Sequence, residues 1–268
     1  MSARTWLITG CSSGLGRALA STVLSTGDNV VATARDAGAV RDLGGLALSL
    51  DVTVPEQVRA AVAAAESEFG GVDVLVNNAG YSYRAATEEG DDADVRRLFD
   101  TNYFGAVDLV RAVLPGMRAR RSGAVVAISS IATRAGLPGG GYYAATKAAV
   151  DAMMSSLRAE VAPLGITAMT VVPGAFRTDF AGRSLVQAPR EIADYAATAG
   201  LRRKENDTSH GTQPGDPARA AAAILATLGS AEPPAVLVLG ADARGLAERD
   251  LDSRRELLRV AERYSTEF

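Results

Sequence analysis

Cysteine and histidine occur once each in this chain, and lysine only twice. A single cysteine, Cys11, excludes an intrachain disulfide and any multi-cysteine metal site. A single histidine, His210, removes most zinc-site and histidine-based triad schemes, and its neighbours predict a loop residue rather than a ligand. No apolar run approaches a membrane span, and the stretch from Met1 to Gly10 is too short and too soon broken for a signal peptide. A formal net charge of -3 offers no footing for nucleic acid or an anionic membrane surface. These absences predict a soluble, cytoplasmic protein with no metal, nucleic acid or membrane as partner.

The scarcity of lysine is the most pointed of them. Of 28 basic residues only Lys147 and Lys204 are lysine, so arginine serves almost everywhere that a generic cation would do. A lysine at 147 therefore points to a task for a compact, titratable charge with three rotatable donors.

What is present reads as one large α/β domain spanning all 268 residues, with 47% hydrophobic and 22% charged residues. Continuous apolar strands are expected at 5–9, 30–34, 46–50, 72–77, 124–129, 166–172 and 235–239. Between them lie helical patterns at 15–26, 55–70, 92–121, 148–161 and 217–228. Such β–α alternation predicts a Rossmann-type, doubly wound, mostly parallel seven-stranded sheet with helices on both faces. The segment of about 175–216 is rich in charge and turn residues and is expected to be irregular. A charged amphipathic helix is expected within a C-terminal tail of about 244–268.

Three stretches carry chemistry. Gly10, Gly14 and Gly16 follow the first strand, where bare backbone amides and a helix N-terminus can face an anion, with Ser12 and Ser13 as added donors. The end of the second strand reads Thr33-Ala34-Arg35-Asp36. An acid there would bind a ribose 2′-hydroxyl and a cation a 2′-phosphate, so position alone leaves the choice open. Tyr143 and Lys147, four apart on a helix introduced by three glycines, share a face. An ammonium beside a phenol favours the phenolate, which predicts a tyrosine with a lowered pKa acting as proton donor and acceptor.

Taken together, Thr9-Gly10-Cys11-Ser12-Ser13-Gly14-Leu15-Gly16, Asn77-Asn78-Ala79-Gly80, Asn102, Ser130, Tyr143-x-x-x-Lys147 and Pro173-Gly174 resemble the short-chain dehydrogenase/reductase family. The order matches, and Ser130 lies 13 residues before Tyr143, as in that family. The resemblance covers about 4–180. It implies that Tyr143 is the general acid or base, that Lys147 lowers its pKa and binds the nicotinamide ribose, that Ser130 holds the carbonyl oxygen, and that Asn102 anchors a water in the proton relay. It further implies that Gly10 to Gly16, Leu15 included, hold the pyrophosphate. Asp51 and Val52 would contact the adenine, Asn78, Ala79 and Gly80 the adenosine ribose side, and Pro173, Gly174 and Thr178 the nicotinamide.

Ala34 stands where NAD-preferring members carry an acid and Arg35 follows it, which implies preference for NADP(H). Asp36, able to pair with Arg35, bears on that preference. The Thr9–Gly16 motif and the charged C-terminal helix look like those of bacterial members similar to hydroxysteroid and retinol dehydrogenases, which implies a medium-sized apolar ketone, aldehyde or secondary alcohol as substrate. Phe176, Phe180, Leu185, Val186, Ile192 and Tyr195 in the variable loop supply apolar surface for a lid. A cofactor-binding sensor on the same fold is the alternative, opposed by the presence of Tyr143, Lys147, Ser130 and Asn102. An epimerase or dehydratase is opposed by the glycine spacing. Family members often pair through their fourth and fifth helices, implying a homodimer or homotetramer. Met153, Met154 and Leu157 suit either that interface or the core.

Overall fold

A computed structural model describes residues 3–209 and 211–265, so the expectation for His210 lies outside the described residues. The chain opens with β1 (Thr5–Ile8), all four of whose residues are buried, and continues through α1 (Gly14–Ser25), β2 (Asn29–Ala34) and β3 (Leu46–Ser49). α2 (Pro55–Phe69) starts on a proline, whose missing N–H costs nothing in a first turn, and stops at Gly70 with φ 84°. β4 (Val74–Asn77) leads to a short β5 (Ser82–Arg84). Next come α3 (Asp92–Phe99) and α4 (Gly105–Arg120), joined by a π-helical turn over Asp100–Phe104. The sequence predicts one continuous helix here. The π turn instead inserts an extra residue and rotates Asn102 inward, where it is buried. β6 (Gly123–Ile128), the single-turn α5 (Ala132–Ala135), α6 (Gly141–Val161) and β7 (Ile166–Pro173) follow. The chain then forms β8 (Leu185–Gln187), α7 (Ala199–Ser209), α8 (Pro217–Leu228), β9 (Val236–Leu239) and α9 (Ala241–Ser265).

Seven strands make one sheet in the order β3-β2-β1-β4-β6-β7-β9, every pairing parallel. The pleat explains why these strands read as unbroken apolar runs. Leu7, Val31, Leu75 and Val125 face one side and pack with Val58 of α2, Leu109 of α4 and Met154 of α6. Trp6, Ile8, Val30, Val74, Val76 and Val126 face the other, against Leu19 of α1 and Ile224 of α8. Each such side chain contributes about 1.5–3 kcal/mol on burial, so both faces must be covered by helices. Strand order runs outward in opposite directions from β1 and β4. Their carboxyl ends therefore splay the following loops apart and leave a crevice.

The segment expected to be irregular carries more order than its composition suggests. β8 pairs in parallel with β5, Ser82 opposite Leu185, as a separate two-stranded sheet, and α7 packs near β5. α7 escapes sequence detection because Leu201, its one large apolar residue, is exposed and no apolar stripe marks the helix. Met154 and Leu157 belong to the core of the chain itself. α9 begins earlier than expected and leaves Leu251, Leu257 and Leu258 exposed. Among the described residues no helix is long and apolar enough to cross a membrane.

Candidate active site

The crevice at the β1/β4 switch point opens into a cleft of about 960 Å³. Its floor is built by Thr9 and Asn78. The Thr9 hydroxyl accepts hydrogen bonds from the Asn78 and Ala79 N–H groups at 3.0 and 2.9 Å, while Asn78 Nδ2 donates to Thr9 O at 2.7 Å. Gly10 and Gly14 turn the loop through φ of 71° and 58°, a region side chains rarely enter. A Cβ on Gly16 would stand 2.4 Å from Asn78 Nδ2. Gly16 thus lets α1 approach the floor and does not itself line the cleft, unlike Gly10, Ser12, Ser13, Gly14 and Leu15. At the start of α1 the Ser13 side chain makes no capping bond and no acid occupies the first turn, so the N-terminal amides are left to an anion from outside the chain. That arrangement fits a dinucleotide pyrophosphate.

Along the same cleft lie Arg35, Asp51, Val52, Asn78, Ala79, Gly80, Ser130, Tyr143, Lys147, Pro173, Gly174 and Thr178. Arg35 is exposed at the end of β2. The neighbouring Asp36 does not pair with it. Its carboxylate accepts the Gly38 N–H at 2.8 Å and caps the short turn that follows. The Asp51 carboxylate is likewise held locally, by the Thr53 N–H and hydroxyl at 2.9 and 2.7 Å.

Tyr143 and Lys147 project from the first two turns of α6, and both are buried. Lys147 Nζ donates to Ile128 O at 2.8 Å and lies 6.0 Å from the centroid of the Tyr143 ring. Burial pushes the ammonium down to about 8, against the nearby Asp151 carboxylate, which raises it. Burial also pushes the Tyr143 phenol up to about 12, partly offset by a hydrogen bond from Ser130. The direction for Tyr143 is opposite to that expected from its spacing to Lys147. Withdrawal from water governs both groups, because the ammonium is spent on a strand carbonyl rather than on the phenol.

Asn102 sits behind the cleft wall rather than on it. Its Nδ2 donates to Tyr81 O at 2.9 Å and to Thr146 Oγ1 at 3.1 Å, and its Oδ1 accepts the Tyr81 N–H at 3.0 Å. Thr146 in turn donates to Tyr143 O at 2.8 Å. Both amide hydrogens are therefore engaged, leaving only the second Oδ1 lone pair to the side chain for a water. Asn102 thereby ties the Gly80–Tyr81 backbone to the helix that carries Tyr143.

Thr9, read only as part of the glycine motif, and Phe180, expected only as lid surface, have definite places here, while Arg84 and Arg202 went unread in the sequence. Thr9 builds the floor. Phe180 stacks at a tilt on Tyr143, ring centroids 5.7 Å apart, so the segment after β7 reaches over the phenol. Arg84 and Arg202 line the end of the cleft beyond Gly80. Phe180 was visible as an apolar residue in a polar segment. Arg84 carries no local signal, since a guanidinium on a three-residue strand resembles any exposed arginine.

Comparison with known proteins bears on this arrangement. The family described as short chain dehydrogenase matches residues 4–187. Oxidoreductase BOA17 of Botryotinia fuckeliana is 38% identical over 247 residues, 90% of either chain. Retinol dehydrogenase 8 of Homo sapiens is 39% identical over 208 residues, 73% of this chain and 65% of the human one. Among solved structures, a short-chain dehydrogenase from Streptomyces avermitilis superposes with a TM-score of 0.92 at 43% identity, covering 98% of each chain. A short chain dehydrogenase from Burkholderia cenocepacia in complex with NADP gives 0.75 at 26% identity, covering 99% and 98%. One from Burkholderia phymatum in complex with NAD gives 0.77 at 25% identity, covering 88% and 89%.

Proposed function

This chain belongs to the short-chain dehydrogenase family, oxidoreductases acting on CH–OH and C=O groups, and from that premise we propose that it is an NADP-dependent carbonyl reductase. Its substrate in this reading is a ketone or aldehyde of medium size with an apolar body. The observation that carries the proposal is the Tyr143 phenol, buried and opening, together with Ser130 and Lys147, on the same cleft as the uncapped N-terminus of α1.

The residues divide the work by position. Ser12, Ser13 and the first-turn amides of α1 would hold the pyrophosphate, and Arg35 the 2′-phosphate. Asp51 and Val52 would border the adenine, Asn78 to Gly80 the adenosine ribose side, Lys147 the nicotinamide ribose, and Pro173, Gly174 and Thr178 the nicotinamide. When bound, the nicotinamide supplies the hydride. Ser130 hydrogen-bonds the carbonyl oxygen and Tyr143 delivers the proton to it, the new alcohol keeping that proton. A phenol pushed up to about 12 is protonated throughout the neutral range, so its resting state is the acid that reduction requires. Phe180 and Val186, at 37% and 39% exposure, offer an apolar surface beside the phenol.

A homodimer or homotetramer is proposed as the assembly, supported by Phe104, 53% exposed at the start of α4, and testable by light scattering. The enzymatic reading is tested with a panel of ketones and aldehydes and both cofactors, on wild type and Tyr143→Phe. Cofactor consumption that depends on substrate and vanishes in the variant is expected. Full activity in the variant would overturn the mechanism, and silence across the panel despite cofactor binding would favour a sensor.

A further inference from the structure

Two guanidinium groups lining the cleft have no carboxylate partner among the described residues. One is Arg35, at the adenosine end. The other is Arg84, on β5, half-buried at the opposite end beyond Gly80. The remaining arginines of the cleft are satisfied: Arg97 pairs with Asp94, Arg202 with Glu205, and Arg183 with Asp179 at 3.2 Å. Among the described residues the one polar contact of the Arg84 side chain is a hydrogen bond donated by Nη1 to the carbonyl oxygen of Arg202. Its other N–H donors find no acceptor in the protein among the described residues. Burial, and then the charge of Arg202, push the Arg84 guanidinium down to about 10, which leaves it cationic at neutral pH. An incompletely solvated cation without a counter-ion is costly, and folded chains seldom retain one unless something else supplies the negative charge.

The surroundings indicate what that partner is. Arg84 opens on the same cleft as the Tyr143 hydroxyl and Ser130, with Phe180 and Val186 in the shared wall. Of the carboxylates that line the cleft, Asp94 and Glu205 are taken by Arg97 and Arg202, Asp51 is held by Thr53, and Asp100 makes no ion pair with Arg84. The anionic parts of a dinucleotide have their own receptors at the N-terminus of α1. We propose that Arg84 is the anion-recognising residue of the substrate site, and that the substrate is an oxo acid. Its carbonyl would meet Tyr143 and Ser130, its apolar chain would run along Phe180 and Val186, and its carboxylate would bind Arg84. A planar guanidinium matches a carboxylate with two parallel N–H···O bonds, which a lysine would not. The carboxylate is a spectator. The C=O carbon gains hydride from the reduced nicotinamide, its oxygen gains a proton from Tyr143, and the acid group leaves unchanged.

This inference rests on the carbonyl-reductase reading for its chemistry, so binding and turnover are measured separately. Oxo acids of increasing chain length and their methyl esters are titrated by calorimetry against protein saturated with NADP+, where no hydride can transfer. The best acid is expected to bind wild type about tenfold more tightly than its ester, the scale of one hydrogen-bonded charge pair. In Arg84→Met that ratio is expected to fall below about twofold, and in Arg84→Lys to lie between, because charge is kept but the planar fork is lost. Equal affinity for acid and ester in wild type, or an acid preference that survives Arg84→Met, overturns the anion site. Loss of affinity for acid and ester alike in the variant also overturns it, since that is the mark of a merely structural residue. The same compounds are then assayed with NADPH. Tight, Arg84-dependent binding without turnover would leave the anion site standing and sink the reductase reading, whereas turnover of esters as fast as acids would do the reverse.

Discussion

Glu89 and Arg203, 114 positions apart, meet in a buried ion pair at 2.8 Å. Glu89 also accepts the Ala86 and Ile192 N–H groups, both at 2.9 Å, and Arg203 donates to Ala188 O and Arg190 O at 2.8 and 3.1 Å. The pair therefore pins three points of the segment between β7 and α8 onto the short connection that precedes α3. Removing one partner of such a buried pair costs about 3–5 kcal/mol, while replacing both with apolar side chains costs much less. Arg203→Met is expected to open that segment selectively, with amide hydrogen exchange there rising far more than in β1 or β4. Glu89→Met combined with Arg203→Met should recover most of the protection. Equal exchange in wild type and single variant would show that the pair does not hold the segment.

The same pair sets an acid limit. Burial pushes the Glu89 carboxyl up, but the Arg203, Ile192 and Ala86 donors outweigh it and hold the group down to about 2. A carboxyl depressed from 4.5 contributes stability that is present above about 4.5 and is lost as pH falls toward 2. Limited proteolysis of the segment between β7 and α8 is therefore expected to accelerate across that window in wild type. In Glu89→Gln cleavage should already be fast at pH 6 and respond less to acid. Parallel profiles for the two proteins would refute the assignment.

Tyr143 gives a spectroscopic prediction. Its phenol, pushed up to about 12, should stay un-ionised where exposed tyrosines near 10 have lost their protons. The difference in phenolate absorbance between wild type and Tyr143→Phe is then expected to emerge only above pH 11. The sign for stability follows: the folded state alone keeps this proton between 10 and 12, so stability falls with rising pH in that window. Loss of the proton donor should also lower kcat by about 10²–10⁴. A Tyr143 absorbance step at or below pH 10 would restore the lysine-lowered phenol that the spacing suggests.

What sequence could and could not reveal follows from the range of the forces involved. The seven strands were legible because a parallel sheet covered on both faces demands apolar residues at every position, as in Thr5–Ile8. Pro55 and Gly70 bracket α2 for reasons contained in their own backbones. The π turn around Asn102 was not legible, since Asp-Thr-Asn-Tyr-Phe has no local preference for it and packing against Tyr81 and Thr146 selects it. α7 and the β5–β8 pair were missed because Arg203–Glu89 and the strand pairing that secure them span about a hundred residues. Lys147 stands out in the sequence by the rarity of lysine, but burial, which sets the direction of the Tyr143 shift, depends on the whole fold.

Asn102 separates a structural clamp from a water anchor. The clamp uses two donors and one acceptor on buried partners, so Asn102→Ala is expected to cost about 2–3 kcal/mol in urea unfolding. Asn102→Asp should cost more than alanine, because it turns a carboxylate oxygen toward Tyr81 O in a site with 2% exposure. If Asn102 served only to hold a water, both variants would unfold within about 0.5 kcal/mol of wild type.

The proposed NADP preference rests on Arg35, and the place of Asp36 beside it turns an ambiguity of sequence into a two-variant test. Were Asp36 to neutralise Arg35, removing its charge would strengthen the grip on a 2′-phosphate. Its carboxylate is instead engaged with Gly38 N–H, so Asp36→Ala should leave NADPH affinity within about twofold and cost stability at the turn it caps, on the order of 1 kcal/mol. Arg35, exposed and free of that acid, should account for an NADPH preference over NADH of about tenfold or more, the worth of a charge-assisted hydrogen bond to phosphate. Arg35→Ala is expected to remove most of that gap by weakening NADPH alone, with NADH unchanged, in a fluorescence titration at fixed ionic strength. Equal wild-type affinities for the two cofactors would defeat the assignment. A gain in NADPH affinity in Asp36→Ala would show that the acid restrains Arg35 after all.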